Sequence, residues 1–217
     1  MYSEAHNSYD ITNHVLSFFT DTKMRRRAAE EVLKNNPGRV LDIATGTGDT
    51  ALFVAQMNKK TNVIAMDANT LMLSTAEEKA CRMGIENAHF EKGDAMKLKY
   101  PSNTFDAVIC TFATKNMPSL DKFASESYRV LRKNGKLVIA DISAPDAAFN
   151  MFMFNMYMLY MRAIGSLTGK KLYKWLPGST SAFDKKKLMR ILEKNSFRNM
   201  HIKEFLFGIA YIITYTK

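Results

Sequence analysis

At 217 residues, 47% of them hydrophobic, the chain is long enough to bury a sizeable core in one domain and too apolar to stay disordered. Lysine and arginine outnumber aspartate and glutamate by 31 to 21, and the net charge of +10 favours anionic partners: nucleic acid, an acidic membrane surface or acidic substrates. Two cysteines exclude a disulfide framework and fit a reducing compartment, and four scattered histidines offer no metal-ligand spacing.

The first ten residues are polar and carry no secretory signal. Residues 8–34 have broken helical periodicity, with Met24-Arg25-Arg26-Arg27 read as a solvated face or as one that meets an anionic surface, and Asn35-Asn36-Pro37-Gly38 stops the helix. The apolar run Val40-Leu41-Asp42-Ile43 then enters Ala44-Thr45-Gly46-Thr47-Gly48-Asp49, and a helical stretch from Thr50 to Met57 follows. A buried strand, a glycine turn and a helix N-terminus in that order form a cradle for a nucleotide-like cofactor, because glycine admits close backbone approach and the helix end offers unpaired N–H groups. Gly46-x-Gly48-x-x-Ala51 also satisfies a dinucleotide fingerprint. Asp42 argues against a diphosphate, which its charge would repel, and for S-adenosylmethionine (SAM), whose amino group and sulfonium are cationic.

The second strand, Thr61 to Asp67, ends in a carboxylate 19 residues past Gly48, near the spacing at which an acidic side chain reaches a ribose hydroxyl pair. Its alternative role is to cap the helix that begins near Asn69 and runs over Leu71–Met83. Ala88–Gly93 reads as the third strand, and Asp94-Ala95 after it suits the adenine amine. Phe105–Cys110 is the fourth, running into the polar cluster Thr111 to Met117, where open α/β sheets bind ligands. A helix over Leu120–Leu131 and a fifth strand over Lys136–Asp141 complete the alternation.

After Pro145 the pattern breaks. Phe149 to Met161 is rich in methionine and aromatic residues, and reads either as a fully buried helix or as a pliable apolar wall for a long hydrophobic substrate. The longest greasy stretch, Phe149–Ile164, contains Asn150, Asn155 and Arg162 and is shorter than the ~20 residues of a spanning helix. Arg162, Lys170, Lys171, Lys174 and Lys185-Lys186-Lys187 follow, a basic set suited to solvent or to an acidic bilayer. A helix over Ala182–Asn195 and a hairpin of Asn199–Phe207 and Ile209–Thr216 through Gly208 close the chain. The expected organisation is a single α/β domain over 1–217, with an N-terminal helical lid at 1–37 and a substrate-side insertion at 146–181.

These residues resemble the SAM-dependent C-methyltransferases of ubiquinone and menaquinone biosynthesis (the UbiE type). The resemblance runs from Tyr9-Asp10-Ile11-Thr12-Asn13 through the Val40–Asp49 turn, Asn103-Thr104-Phe105-Asp106 and Tyr128-Arg129-Val130-Leu131. It continues through Phe112–Met117, Ile164-Gly165-Ser166-Leu167 and Tyr173-Lys174-Trp175-Leu176. It implies a doubly wound, seven-stranded sheet of order 3-2-1-4-5-7-6 with strand seven antiparallel, and a segment around Tyr9-Asp10 folding over the cofactor. The cofactor set is then Tyr9, Asp42, Ala44, Gly46, Thr47, Gly48, Asp67, Ala68, Asp94, Ala95 and Thr111, with no metal. Asp67 takes the ribose hydroxyls and Asp94 the adenine amine.

Two departures concern the acceptor side. The family's Gly-x-Arg is Ala113-Thr114-Lys115 here, which removes a guanidinium fork that lysine does not replace. Asp94-Ala95 also stands where many members have Asn-Ala.

Methyl transfer is an in-line attack on a sulfonium methyl, so positioning and exclusion of water dominate. A base that removes a phenolic proton would sharpen a quinol carbon as nucleophile. Tyr9, Lys115, Asn116 and Tyr173 are the candidates to orient that hydroxyl. The expected partners are a hydrophobic quinol-like acceptor, an anionic membrane touched peripherally and a second copy in a homodimer, with nucleic acid disfavoured. The expected location is cytoplasmic, at the inner face of the membrane. The rival readings are methylation of another small molecule, methylation of RNA, and SAM binding without turnover.

Overall fold

The computed structural model describes residues 20–143, 184–206 and 208–217, together with Phe152, Met156 and Leu159 in the segment between. Seven strands form one sheet: β1 (Arg39–Ile43), β2 (Asn62–Asp67), β3 (Ala88–Lys92), β4 (Phe105–Thr111), β5 (Leu131–Ile142), β6 (Arg198–Phe205) and β7 (Ala210–Thr216). Their order is β3-β2-β1-β4-β5-β7-β6, and β7 runs antiparallel to both neighbours, as the resemblance implies. The helices are α1 (Thr20–Leu33), α2 (Asp49–Met57), α3 (Thr70–Arg82), α4 (Leu120–Val130) and α5 (Lys185–Lys194).

Strand alternation divides the core into two layers. Val40, Val63, Ala65, Ala107, Ile109, Val138 and Ala140 face one way, where Met24, Ala28, Ala29 and Val32 of α1 and Ala51, Val54 and Ala55 of α2 cover them. Leu41, Ile43, Val108, Cys110, Leu137 and Ile139 face the other way, against Phe123 and Ala124 of α4 and Leu188 and Leu192 of α5. Central strands buried on both faces explain the nearly unbroken apolar runs of β1, β4 and β5. Cys110 is fully buried at the middle of the sheet, whereas Cys81 on α3 is exposed.

Three boundaries differ from the sequence reading for physical reasons. The fifth strand begins at Leu131, five residues before Lys136, because Leu131 already pairs with Phe105 before the register shifts and Ala107 meets Lys136. The cap of α3 is Asn69, whose side chain accepts from Leu71 N, so Asp67 is left free of that role. The last helix starts after Asp184, whose carboxylate accepts from Lys186 N. In the insertion, Phe152, Met156 and Leu159 lie on helical backbone at spacings of four and three residues, and all three are exposed, so full burial does not hold for them. Among the described residues no helix is long and apolar enough to cross a membrane.

The sheet order reverses direction between β1 and β4, and open α/β sheets receive ligands outside the carboxyl ends of the strands at that point. Ala44 after β1 and Phe112 after β4 both have φ of 56°, so the chain leaves the two neighbouring strands through left-handed backbone on each side of the crevice.

Candidate active site

The carboxyl ends of β3, β2, β1 and β4 bring together Asp42, Ala44, Gly46, Thr47, Gly48, Asp67, Ala68, Asp94, Ala95 and Thr111 along one edge of the sheet. Tyr9 and Tyr173 lie outside the described residues. The glycine turn is held from below and from the side. Thr45 N donates to Met66 O at 3.0 Å, and Gly46 N donates to Asp67 Oδ2 at 2.8 Å, which fastens the turn to the end of β2. The other Asp67 oxygen accepts from Asn69 N at 2.9 Å. Gly48 ends the turn at φ 84° and opens α2 without a side-chain cap. A Cβ on Gly46 would meet nothing within 4 Å, so space above the turn is open.

Lys79 of α3 reaches this turn, donating to Thr47 Oγ1 at 3.1 Å and to Asp49 Oδ1 at 2.6 Å. Asp94 is exposed at the rim, one of its oxygens accepting from Met96 N at 2.8 Å, while Ala95 is buried beneath it. Asp42 is fully buried, and its Oδ2 accepts from Thr45 Oγ1 at 2.7 Å. Burial pushes the Asp42 carboxyl up to about 7, with Asp67 adding repulsion and Thr45 and Arg25 opposing it.

Lys115 and Asn116 sit on a 3₁₀ turn, Thr114–Asn116, which Phe112 and Ala113 join to the end of β4. The turn hangs on Asp141 at the end of β5. Asp141 Oδ2 accepts from both Thr114 N at 3.0 Å and Thr114 Oγ1 at 2.5 Å, and Oδ1 accepts from Ile142 N at 2.8 Å. Burial raises the Asp141 carboxyl above the usual range, with the hydrogen bonds from Thr114 pulling it back. Lys115 is half-buried, and that burial lowers its ammonium pKa while the charge of Asp141 raises it.

Three participants were missed in the sequence. Asp141 carries the same signal that singles out Asp42, Asp67 and Asp94, a carboxylate at a strand's carboxyl end. Lys79 and Arg25 carry no such signal, since each reaches the turn from a helix distant in sequence. Arg25 departs from the solvated face expected of Met24–Arg27: Met24 is buried, Arg25 is turned inward, and only Arg26 and Arg27 are exposed.

The rim of Asp67 and Asp94, with Asp42 behind the turn, is acidic and suits a cationic ligand with a ribose better than a diphosphate. Among the described residues no group of three or more His, Cys, Asp or Glu could hold a metal ion.

The model of the ubiE/COQ5 methyltransferase family matches residues 1–217. The chain belongs to that family. It is 34% identical over 214 residues to the demethylmenaquinone methyltransferase of Deinococcus radiodurans, covering 97% of this chain and 88% of that one. It is 33% identical over 215 residues to the demethylmenaquinone methyltransferase of Thermus thermophilus, covering 98% and 97%. Among solved structures, a SAM-dependent methyltransferase from Aquifex aeolicus superposes with a TM-score of 0.65 at 22% identity, over 91% of this chain and 98% of that one, which supports the fold.

The UbiE-type chain is therefore a SAM-dependent methyltransferase, and its acidic rim fits that donor. A first expected result concerns Asp42 in the ligand-free methyltransferase. An ordinary unfolded aspartate ionises near ~3.9 and Asp42 near about 7, so its contribution to stability is complete below ~3.9 and lost as pH rises through 7. Asp42→Asn, which keeps an acceptor for Thr45, removes that loss. Urea melts are expected to show the stability advantage of the variant widening by about 2–3 kcal/mol between pH 5 and pH 8. An advantage independent of pH would show that Asp42 titrates normally.

Proposed function

We propose that this methyltransferase transfers a methyl group from SAM to a ring carbon of a prenylated quinol. The observation that carries this reading is the match along the whole chain to relatives that are demethylmenaquinone methyltransferases. Bound SAM supplies an electrophilic methyl group. The chain's own residues supply the rest.

Asp67 takes the ribose hydroxyls, and Asp94 accepts from the adenine amine. Thr47 and the amides around Gly46 and Gly48 border the methionine part, with Ala44, Ala68, Ala95 and Thr111 lining the site. The turn carrying Lys115 and Asn116 begins three residues after Thr111 and is assigned to the acceptor side. Lys115 orients the acceptor hydroxyl and, in its neutral form, takes the phenolic proton, which makes the adjacent ring carbon more nucleophilic; once that carbon carries the methyl group it sheds its ring proton to solvent, and Lys115 returns a proton to the oxygen. The depressed pKa that burial gives this lysine enlarges the neutral fraction near physiological pH. Tyr9, Asn116 and Tyr173 are assigned to close and orient the acceptor side.

A prenylated acceptor resides in lipid. The exposed Phe152, Met156 and Leu159, at spacings of four and three residues in a chain of net charge +10, support peripheral contact with an anionic membrane at its cytoplasmic face.

The test is purified enzyme with labelled SAM, assayed against a demethylmenaquinol in vesicles and against a panel of soluble acceptors. Label is expected in the quinol ring; transfer only to a soluble acceptor, or to none, overturns the reading. Lys115→Met is expected to lower kcat by about 10²-fold or more, with SAM affinity unchanged. It is also expected to remove the limb of the kcat/KM profile that rises with pH as the lysine loses its proton. A variant with a wild-type profile would acquit Lys115 as the proton acceptor.

A further inference from the structure

Among the described residues, α1 brings Arg25 to the edge of the donor site. Met24, Ala28 and Ala29 of α1 enter the core, and Arg25 lies at the edge of that stripe. Its Nη1 donates to Thr111 Oγ1 at 2.9 Å and to Thr50 Oγ1 at 3.3 Å, and the two hydroxyls are 2.8 Å apart. The guanidinium carbon lies 4.9 Å from the centroid of the Phe112 ring. Thr50 is in the first turn of α2, directly after the glycine turn, and Thr111 ends β4. One guanidinium thus ties together the two elements that border the crevice on either side of the end of β1. Arg26 and Arg27 are exposed.

We propose that Arg25 is a positioning residue of the donor site, which docks the N-terminal helix on the strand ends and couples that docking to SAM binding. The coupling follows from the geometry. Any ligand that fixes the glycine turn and Thr111 also fixes both acceptors of Arg25, so the ligand favours the docked helix. By linkage the docked helix favours the ligand equally. A lysine at the same position keeps the charge without the planar guanidinium that lies over the Phe112 ring.

Electrostatics act in the same direction. The groups that bear on buried Asp42 are the Thr45 hydroxyl from its own loop, the Ala51 amide from α2, Asp67 from β2 and Arg25 from α1. Arg25 is the cation in that set. Without it, Asp42 holds its proton to higher pH and loses its attraction for a cationic ligand. The inference concerns the donor site alone and stands whatever the acceptor proves to be.

The test titrates S-adenosylhomocysteine into the wild-type full chain, Arg25→Ala, Arg25→Lys and, as a control on the same helix, Arg26→Ala. Calorimetry runs from pH 6 to pH 9, and amide hydrogen exchange of residues 20–33 is followed with and without ligand. Arg25→Ala is expected to weaken binding about 10-fold or more, Arg25→Lys by an intermediate factor and Arg26→Ala by less than 2-fold. Ligand is expected to slow exchange in α1 of the wild type and to lose that effect in Arg25→Ala. The acid limb of the affinity profile is expected to move to higher pH in the same variant, a shift that loose packing alone does not produce. Should Arg25→Ala fail to fold, Arg25→Lys and Thr50→Val carry the comparison, the latter removing an acceptor of Arg25 that lies outside the cofactor set, with the charge intact. The proposal is overturned if Arg25→Ala or its substitutes bind as tightly as the wild type. It is equally overturned if Arg26→Ala weakens binding as much, or if ligand leaves α1 exchange unchanged in the wild type.

Discussion

Gly48→Val is expected to abolish measurable cofactor binding and to cost about 2–5 kcal/mol of stability, the combined scale of left-handed backbone strain and core overpacking. The residue has φ 84°, and an added Cβ would lie 2.7 Å from Ala76 Cβ and 3.0 Å from Phe90 Cε1. Neither neighbour has slack: Ala76 is buried in α3, and Phe90 packs on the layer that α1 and α2 cover. α2 must move away from the strand ends, taking its N-terminal amides with it. Gly46→Ala is the informative companion. Gly46 also has positive φ, at 58°, but a Cβ there meets nothing within 4 Å. That variant is expected to fold with a loss of about 1 kcal/mol, set by backbone strain alone, and to bind SAM poorly because its methyl group occupies the open space over the turn. Thermal melts and calorimetric titration separate the two effects. A Gly48→Val protein that binds SAM normally would mean that the turn does not touch the cofactor.

The second large effect is expected at Asp67. Asp67→Ala removes the acceptor for Gly46 N at 2.8 Å and for Asn69 N at 2.9 Å, as well as the carboxylate assigned to the ribose. Hydrogen bonds to a charged group contribute about 1.5–3 kcal/mol each, so affinity for S-adenosylhomocysteine is expected to fall by about 10²-fold or more. Asp67→Asn keeps one acceptor oxygen and is expected to fall between the variant and the wild type. Unaltered affinity in Asp67→Ala would remove this residue from the site.

Much of this was legible in the sequence because the signals were local. The order of apolar runs and turns predicts the sheet, and an aspartate at or near a strand's end marks three positions along the carboxyl edge of the sheet without knowledge of their neighbours. What escaped was set by tertiary packing. Asp67 does not cap α3 because its two oxygens accept from Gly46 N and Asn69 N, leaving the Asn69 side chain to accept from Leu71 N, and the Gly46 amide comes from another strand's loop. The run of three arginines after Met24 looks uniform in sequence, yet rotation about the helix axis sends Arg25 to Thr50 and Thr111 and leaves the next two outside. Fixing that rotation takes the partner surface, here the α2 side of the sheet. The early start of β5 likewise follows from pairing with Phe105, a contact that the local turn Lys133-Asn134-Gly135 conceals.

The two cysteines give this enzyme an internal clock for its own opening. With Cys81 on the surface and Cys110 sealed at the centre of the sheet, a thiol reagent under native conditions modifies the first at once. Burial raises the thiol pKa of Cys110 well above its ordinary range, so that sulfur stays inert until the strands part around it. After Cys81 has been blocked, the slow labelling of Cys110 counts excursions that breach the sheet. Its retardation by ligand would then report, residue-specifically and without denaturant, how far occupancy of the adjoining rim restrains the centre of the sheet.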